Sequence, residues 1–133
     1  NTVTPEDKIL VGTVFDGLFQ SLNNRDENGL MNSFSPLIAK FLGKANATRS
    51  DVVTFMHKIY KSDVASMNWM SLEDYAITKK EVGDQQYEYT VVFSGLQKVE
   101  HTDNSSSETR FRFNAKVNPD GRITELNMTK ILE

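Results

Sequence analysis

The chain contains no cysteine, which removes disulfides and thiolate-ligated metal sites and leaves its redox compartment open. Histidine is almost as scarce: His57 and His101 are the only two, and no acidic cluster stands beside them, so no metal is expected. Basic charge is not in excess either. Fifteen Lys and Arg face eighteen Asp and Glu, a net charge of −3, which argues against nucleic acid as a partner. Arg110, Arg112 and Lys116 do line one strand face, where such charges form a solvated rim. No apolar run approaches the roughly 18 residues that a membrane-spanning helix needs. Gly12 and Gly17 are too sparse for a phosphate loop, and no serine sits in a nucleophile elbow. No cofactor is implied.

What remains is an ordinary core-forming composition. At 133 residues, 38% hydrophobic and 25% charged, the chain reads as a single domain over 1–133, with no repeat or linker. Thr4-Pro5-Glu6-Asp7 is a helix start, and Ile9, Val11, Val14, Phe15, Leu18, Phe19 and Leu22 follow at helical spacing until Asn23-Asn24. Gly12 and Gly17 inside that helix suggest close approach of a neighbouring backbone. Arg25 to Phe34 reads as a second, short helix. Leu37 to Leu42 reads as a strand closed by Gly43, and Ala45 to Arg49 as a loop. Ser50-Asp51 caps a third helix with Val52, Val53, Phe55, Met56, Ile59 and Tyr60 on its apolar stripe.

Beyond Ser62-Asp63 the period changes to two. Ala65 to Ile77 reads as one strand and Lys79 to Asp84 as a turn. A strand then shows Tyr87, Tyr89, Val91 and Phe93 on one face, and His101 to Glu108 reads as a polar loop. The last hairpin is the clearest segment. Phe111, Phe113, Ala115 and Val117 alternate with Arg110, Arg112, Asn114 and Lys116, and Asn118-Pro119-Asp120-Gly121 supplies the turn. Three helices followed by long antiparallel strands give an α+β layer pattern, with a sheet that must curve strongly.

This order resembles the nuclear-transport-factor-2-like (NTF2-like, SnoaL-like) superfamily, the cystatin-like cone fold, in a branch of unassigned function. The resemblance runs from Pro5 to Leu132. It is carried by the Asn24-Arg25-Asp26 break, by Phe34 to Leu42, by Ser50-Asp51-Val52-Val53-Thr54-Phe55, and by Asp120-Gly121-Arg122-Ile123. It implies three N-terminal helices packed on a strongly curved, mainly antiparallel sheet, forming a cone with a hollow end. The isomerases of this superfamily need a carboxylate base, a Tyr and a protonated acid. Counting back from Gly43 and from Gly121 puts Lys40 and Phe113 at the base and acid positions, and the first helix offers Phe15 and Phe19 rather than Tyr. All three roles are empty, so no catalytic residue is assigned.

The remaining feature is aromatic. Phe15, Phe19, Trp69, Tyr75, Tyr87 and Tyr89 are the candidate pocket residues, able to line a cavity for a small apolar ligand or to fill it. If the strand face they share points outward, it becomes an apolar patch for a homodimer through the sheet. The favoured reading is a non-catalytic domain binding a small apolar ligand or a protein partner in or beside the cone. The alternatives are an enzyme of the same fold with a site around His57, Asp63 and Tyr75, and a dimerising accessory domain of a larger or exported protein. The chain opens on Asn1 rather than Met, which reads as a processed mature chain or an excised domain. Asn/Ser/Thr-rich stretches lean toward an extracytoplasmic setting, although the glycosylation-type tripeptides at Asn46, Asn104 and Asn127 decide little.

Overall fold

Helix α1 (Pro5–Asn23) begins on a capping box, in which the Thr4 hydroxyl accepts from the Asp7 N–H at 3.1 Å and the Asp7 carboxylate accepts from the Thr4 N–H at 2.8 Å. Its buried face is Val11, Phe15, Leu18, Phe19 and Leu22. Ile9, placed on the same stripe by spacing, is exposed. Arg25 then takes a left-handed conformation (φ 53°), and Asp26 caps α2 (Glu27–Asn32) through the Gly29 N–H at 3.0 Å. The computed structural model describes residues 1–132.

Strands β1 (Leu37–Phe41) and β2 (Lys44–Thr48) form a hairpin, and α3 (Arg49–Ile59) follows at once. β2 replaces the expected loop over 45–49. The hairpin closes through Leu42 (φ 48°) and Gly43 (φ 89°), both left-handed, as a tight two-residue turn demands. Helix α3 starts one turn-edge earlier than Ser50-Asp51 suggests. Thr48 is the cap residue, and Asp51, inside the helix, accepts from the Thr48 N–H at 2.8 Å.

The remaining strands are β3 (Val64–Ser71), β4 (Ala76–Gly83), β5 (Gln86–His101), β6 (Ser106–Val117) and β7 (Ile123–Lys130). The seven form one sheet in the order β2-β1-β7-β6-β5-β3, with β4 also pairing β5. Only β1 and β7 run parallel, with Lys40 opposite Glu125 and Phe41 opposite Leu126. The single strand expected over 65–77 is broken: β3 pairs the second half of β5 and β4 the first half, so one edge of β5 is shared by two strands. The charged Lys79-Lys80-Glu81 run is strand, and the turn is confined to Asp84 and Gln85. The polar loop also shrinks, to 102–105, because β5 and β6 stay paired as far as Glu100 and Ser106.

The helices cover one face of this sheet. Met67, Trp69, Tyr89, Val91, Phe93, Val99, Phe113, Ala115 and Val117 point to it and are buried. The aromatic face of β5 is therefore inward, and the condition that would have made it a dimer patch is not met. Neither Gly12 nor Gly17 is a close approach: a Cβ on Gly12 would lie 3.9 Å from Tyr75, and one on Gly17 would meet nothing within 4 Å. On β5 the crowded glycine is Gly95, where a Cβ would stand 2.7 Å from the Phe113 ring and 3.2 Å from the Met70 carbonyl oxygen, and on α2 a Cβ at Gly29 would stand 2.5 Å from the Asp26 carboxylate and the Ser21 hydroxyl.

Candidate functional site

Four of the six candidate pocket residues come together. Phe15, Phe19, Trp69 and Tyr75 join Phe93, Phe111 and Phe113 in one interlocked aromatic cluster. Phe93 and Phe113 stack at 4.9 Å between ring centres, Phe15 meets Phe93 at 4.8 Å, and Phe19 meets Phe113 edge-on at 5.6 Å. Each polar tip is satisfied. The Trp69 Nε1–H donates to Met67 Sδ at 3.2 Å, and the Tyr75 and Ser71 hydroxyls pair at 2.8 Å. Tyr75 enters this cluster from the break between β3 and β4; burial pushes its hydroxyl pKa up.

The cone is thereby filled. The space left inside it is about 20 Å³, bounded only by apolar side chains, among them Leu18, Phe41, Leu42, Phe55 and Met128. That is room for about one water and offers it no polar partner. No titratable group lines this space, and the positions that the isomerase pattern would use are equally inert. Lys40 is exposed on β1, and Phe113 is buried in the cluster.

Tyr87 and Tyr89 lie apart from the cluster, around a polar group that sequence reading missed. Asp7, in the first turn of α1, accepts from Lys79 Nζ at 2.8 Å and from the Tyr89 hydroxyl at 2.5 Å. Both charged side chains are about nine-tenths buried, and the Lys79 ammonium also sits 4.1 Å over the Tyr87 ring. Burial alone would raise the Asp7 pKa. The Lys79 ammonium, the Thr4 N–H and the Tyr89 hydroxyl outweigh it and hold the carboxyl well below the usual range. Burial and the bond to Asp7 push Tyr89 up to about 12. Every group in this set is engaged by another, so it ties α1 to β4 and β5 rather than facing a ligand.

Beside the cone, an open groove of about 630 Å³ runs between α1 and β3. Phe19 and Trp69 are on its floor, and Asp16, Gln20, Asn23, Asn24 and Asn68 supply its polar lining. Asn23 is fixed: its side-chain oxygen accepts from the Trp69 N–H at 2.6 Å, and its amide donates to Asn68 Oδ1 at 2.8 Å and to the Trp69 carbonyl at 3.1 Å. Gln20 and Asn24 make no side-chain hydrogen bond among the described residues.

The enzyme alternative around His57, Asp63 and Tyr75 does not assemble. His57 is exposed on α3, 3.7 Å from Glu27. Tyr75 is committed to the aromatic cluster. Asp63 instead meets His101, with its Oδ2 3.4 Å from His101 Nδ1.

No protein-family model and no curated protein matches this sequence. Solved structures do match in shape. A nuclear transport factor 2 (NTF2-like) superfamily protein from Salmonella enterica serovar Typhimurium superposes with a TM-score of 0.75 at 12% identity, over 95% of this chain and 92% of that one. An NTF2-like protein of unknown function from Exiguobacterium gives 0.64 at 20% identity, over 90% and 99%. A hexachlorocyclohexane dehydrochlorinase from Novosphingobium barchaimii gives 0.71 at 9% identity, over 96% and 88%. Identities this low carry fold and not chemistry. With three helices on one face of a seven-stranded, mainly antiparallel sheet, the chain has the α+β cone fold of the nuclear-transport-factor-2-like superfamily.

Proposed function

We propose that this domain works by binding, with its ligand held beside the filled cone and no chemistry inside it. The observation that carries this reading is the interior: about 20 Å³ remains there, and no titratable group borders it. A ligand therefore belongs in the groove between α1 and β3, whose roughly 630 Å³ is within the range of small-molecule sites. The groove pairs an aromatic floor with the uncommitted amides of Gln20 and Asn24. That chemistry suits a small, largely apolar molecule with one or two hydrogen-bonding substituents. The dehydrochlorinase of the same fold is named for a compact apolar ring, which gives the scale of such a ligand.

The chain's single tryptophan, Trp69, is in the groove floor and serves as a built-in reporter. Titration with cyclohexanol and with phenol, followed by Trp69 fluorescence and amide chemical shifts, should give saturable changes confined to α1 and β3. Gln20→Ala and Asn24→Ala should each weaken binding by roughly three- to tenfold, the worth of one hydrogen bond. Saturable binding that leaves Trp69 silent and ignores both variants would place the ligand elsewhere and sink the groove reading.

A further inference from the structure

A second group of side chains, outside the groove and the cone, has a chemical order of its own. At the junction of β5 and β6, His101 Nε2 lies 3.4 Å from the Ser107 hydroxyl, and His101 Nδ1 lies 3.4 Å from Asp63 Oδ2. The hydroxyl faces one ring nitrogen and the carboxylate the other. An Nδ1–H donated to Asp63 leaves Nε2 as the acceptor for the serine proton, the arrangement by which a histidine activates a hydroxyl. Both contacts are longer than a strong hydrogen bond, as such contacts often are without substrate.

The backbone holds the three in place. Thr102 N–H donates to the Asp63 carbonyl at 2.9 Å, and His101 N–H donates to the Ser105 carbonyl at 2.8 Å. The Asp103 carboxylate accepts from both the N–H and the hydroxyl of Ser105, tightening the loop between His101 and Ser107. Ser107 pairs with Val99, two residues before His101, so both side chains are on the same sheet face. His101 is partly buried, its side chain 26% exposed, while Ser107 is open to solvent. His101 and Asp63 also line an open pocket of about 240 Å³ with an apolar floor of Ile59, Val64, Met67 and Val99 and with Lys61 in its wall. The pocket borders the imidazole and the carboxylate, and Ser107 stands on the other side of the ring, outside its lining.

We propose that Ser107, His101 and Asp63 form a nucleophilic site for acyl transfer from small activated esters. The Ser107 oxygen bonds to the ester carbonyl carbon while its proton passes to His101 Nε2. The ester C–O bond breaks, and the leaving alcohol takes that proton. Water then attacks the acyl-serine, again through Nε2, and Ser107 departs with its proton restored, so that ester and water become acid and alcohol. Asp63 is a positioning residue that holds the imidazole in the required tautomer. The charged groups around His101 are Asp63, Lys61 and Asp103.

The test uses p-nitrophenyl acetate on the whole chain. The expected result is a burst near one equivalent of p-nitrophenol, with an acetyl group on Ser107 by peptide mass spectrometry. Ser107→Ala and His101→Ala should cut the burst rate at least a hundredfold. Asp63→Asn should lower it and move the limb of the pH–rate profile that reports the imidazole, which a purely structural residue would leave in place. A fluorophosphonate probe on the unaltered chain reads the same serine without any substitution. An unchanged burst in Ser107→Ala, acetylation confined to lysines or His101, or no fluorophosphonate label on Ser107 would overturn the proposal. The readout here is the label on Ser107, and the groove is read by Trp69 fluorescence, so failure here and failure of the groove reading can be told apart.

Discussion

Replacing Asp7 by Ala should be among the most damaging single changes to this fold. It strands the Lys79 ammonium, a side chain only 10% exposed, without its counter-charge, and removes the acceptor of the buried Tyr89 hydroxyl. Breaking one partner out of a buried pair costs about 3–5 kcal/mol, and the lost bond to the Thr4 N–H adds about 1 kcal/mol. For a chain of 133 residues, a loss of about 4–6 kcal/mol lowers Tm by about 14–21 °C. Thermal and urea unfolding of Asp7→Ala, of Lys79→Met, and of Asp7→Ala with Lys79→Met would measure this. The double variant should recover the part of the loss that comes from the stranded ammonium, while the Tyr89 hydroxyl and the Thr4 N–H still lack their acceptor. A loss below about 1 kcal/mol in Asp7→Ala, or a double variant as poor as the sum of the singles, would refute a buried, coupled pair.

The same group contributes to the pH dependence of stability at both ends. Asp7 has a depressed folded pKa, so its contribution is fully present above the unfolded value of 3.8 and is lost as pH falls through the lower folded one. Tyr89 behaves in the opposite sense. Its folded pKa is raised from 10.0 to about 12, so its contribution is complete below pH 10 and is lost as pH climbs toward 12. Two pKa units correspond to about 2–3 kcal/mol. Tyr89→Phe should flatten that alkaline decline and also shrink the acid limb, because the Tyr89 hydroxyl is one of the donors that hold the Asp7 pKa down.

Gly95→Ala should destabilise by about 1–3 kcal/mol, because the new methyl meets the Phe113 ring at 2.7 Å and the Met70 carbonyl at 3.2 Å, and a carbonyl in a strand cannot withdraw as a side chain can; chemical denaturation reads this directly. Phe113→Ala should cost about 3–5 kcal/mol and open an apolar cavity inside the cone. Benzene or xenon should then bind and raise its Tm, and a variant indifferent to both would mean that the neighbouring rings had collapsed into the gap.

Segments with one strong period were legible in the sequence. The α1 stripe from Val11 to Leu22 and the alternation from Arg110 to Val117 each bury one face, and burial of one face is what periodicity records. β2 has no such record: only Ala47 is buried in it, so Lys44 to Thr48 reads as loop although it is hydrogen-bonded as strand. Gly43 marks the end of β1, but Leu42 hides as a turn residue, since a bulky residue at positive φ carries no turn signal. Lys79 misleads for another reason. Its charge marks it as exterior, and only Asp7, 72 positions earlier, makes an inward lysine tolerable. The Ser107, His101 and Asp63 grouping was equally invisible, because it depends on which residues the β5–β6 register and the turn before β3 bring together.

The parallel pairing of β1 with β7 bears on the order in which the chain can fold. The hairpin of β1 and β2 joins the sheet through residues 123–127: Ser35 N–H donates to the Ile123 carbonyl, Ile123 N–H to the Ser33 carbonyl, Leu42 N–H to the Leu126 carbonyl, and Gly43 N–H to Asn127 Oδ1. While the chain emerges from a ribosome, Ile38 and Phe41 therefore have no sheet to join until the final strand has been made. The long-range closure must wait for it, and the β5–β6 hairpin, closed by a short loop, can form well before. In the interval the first third of the molecule carries unpaired strand edges and apolar side chains, which makes it the stretch most in need of a chaperone's cover.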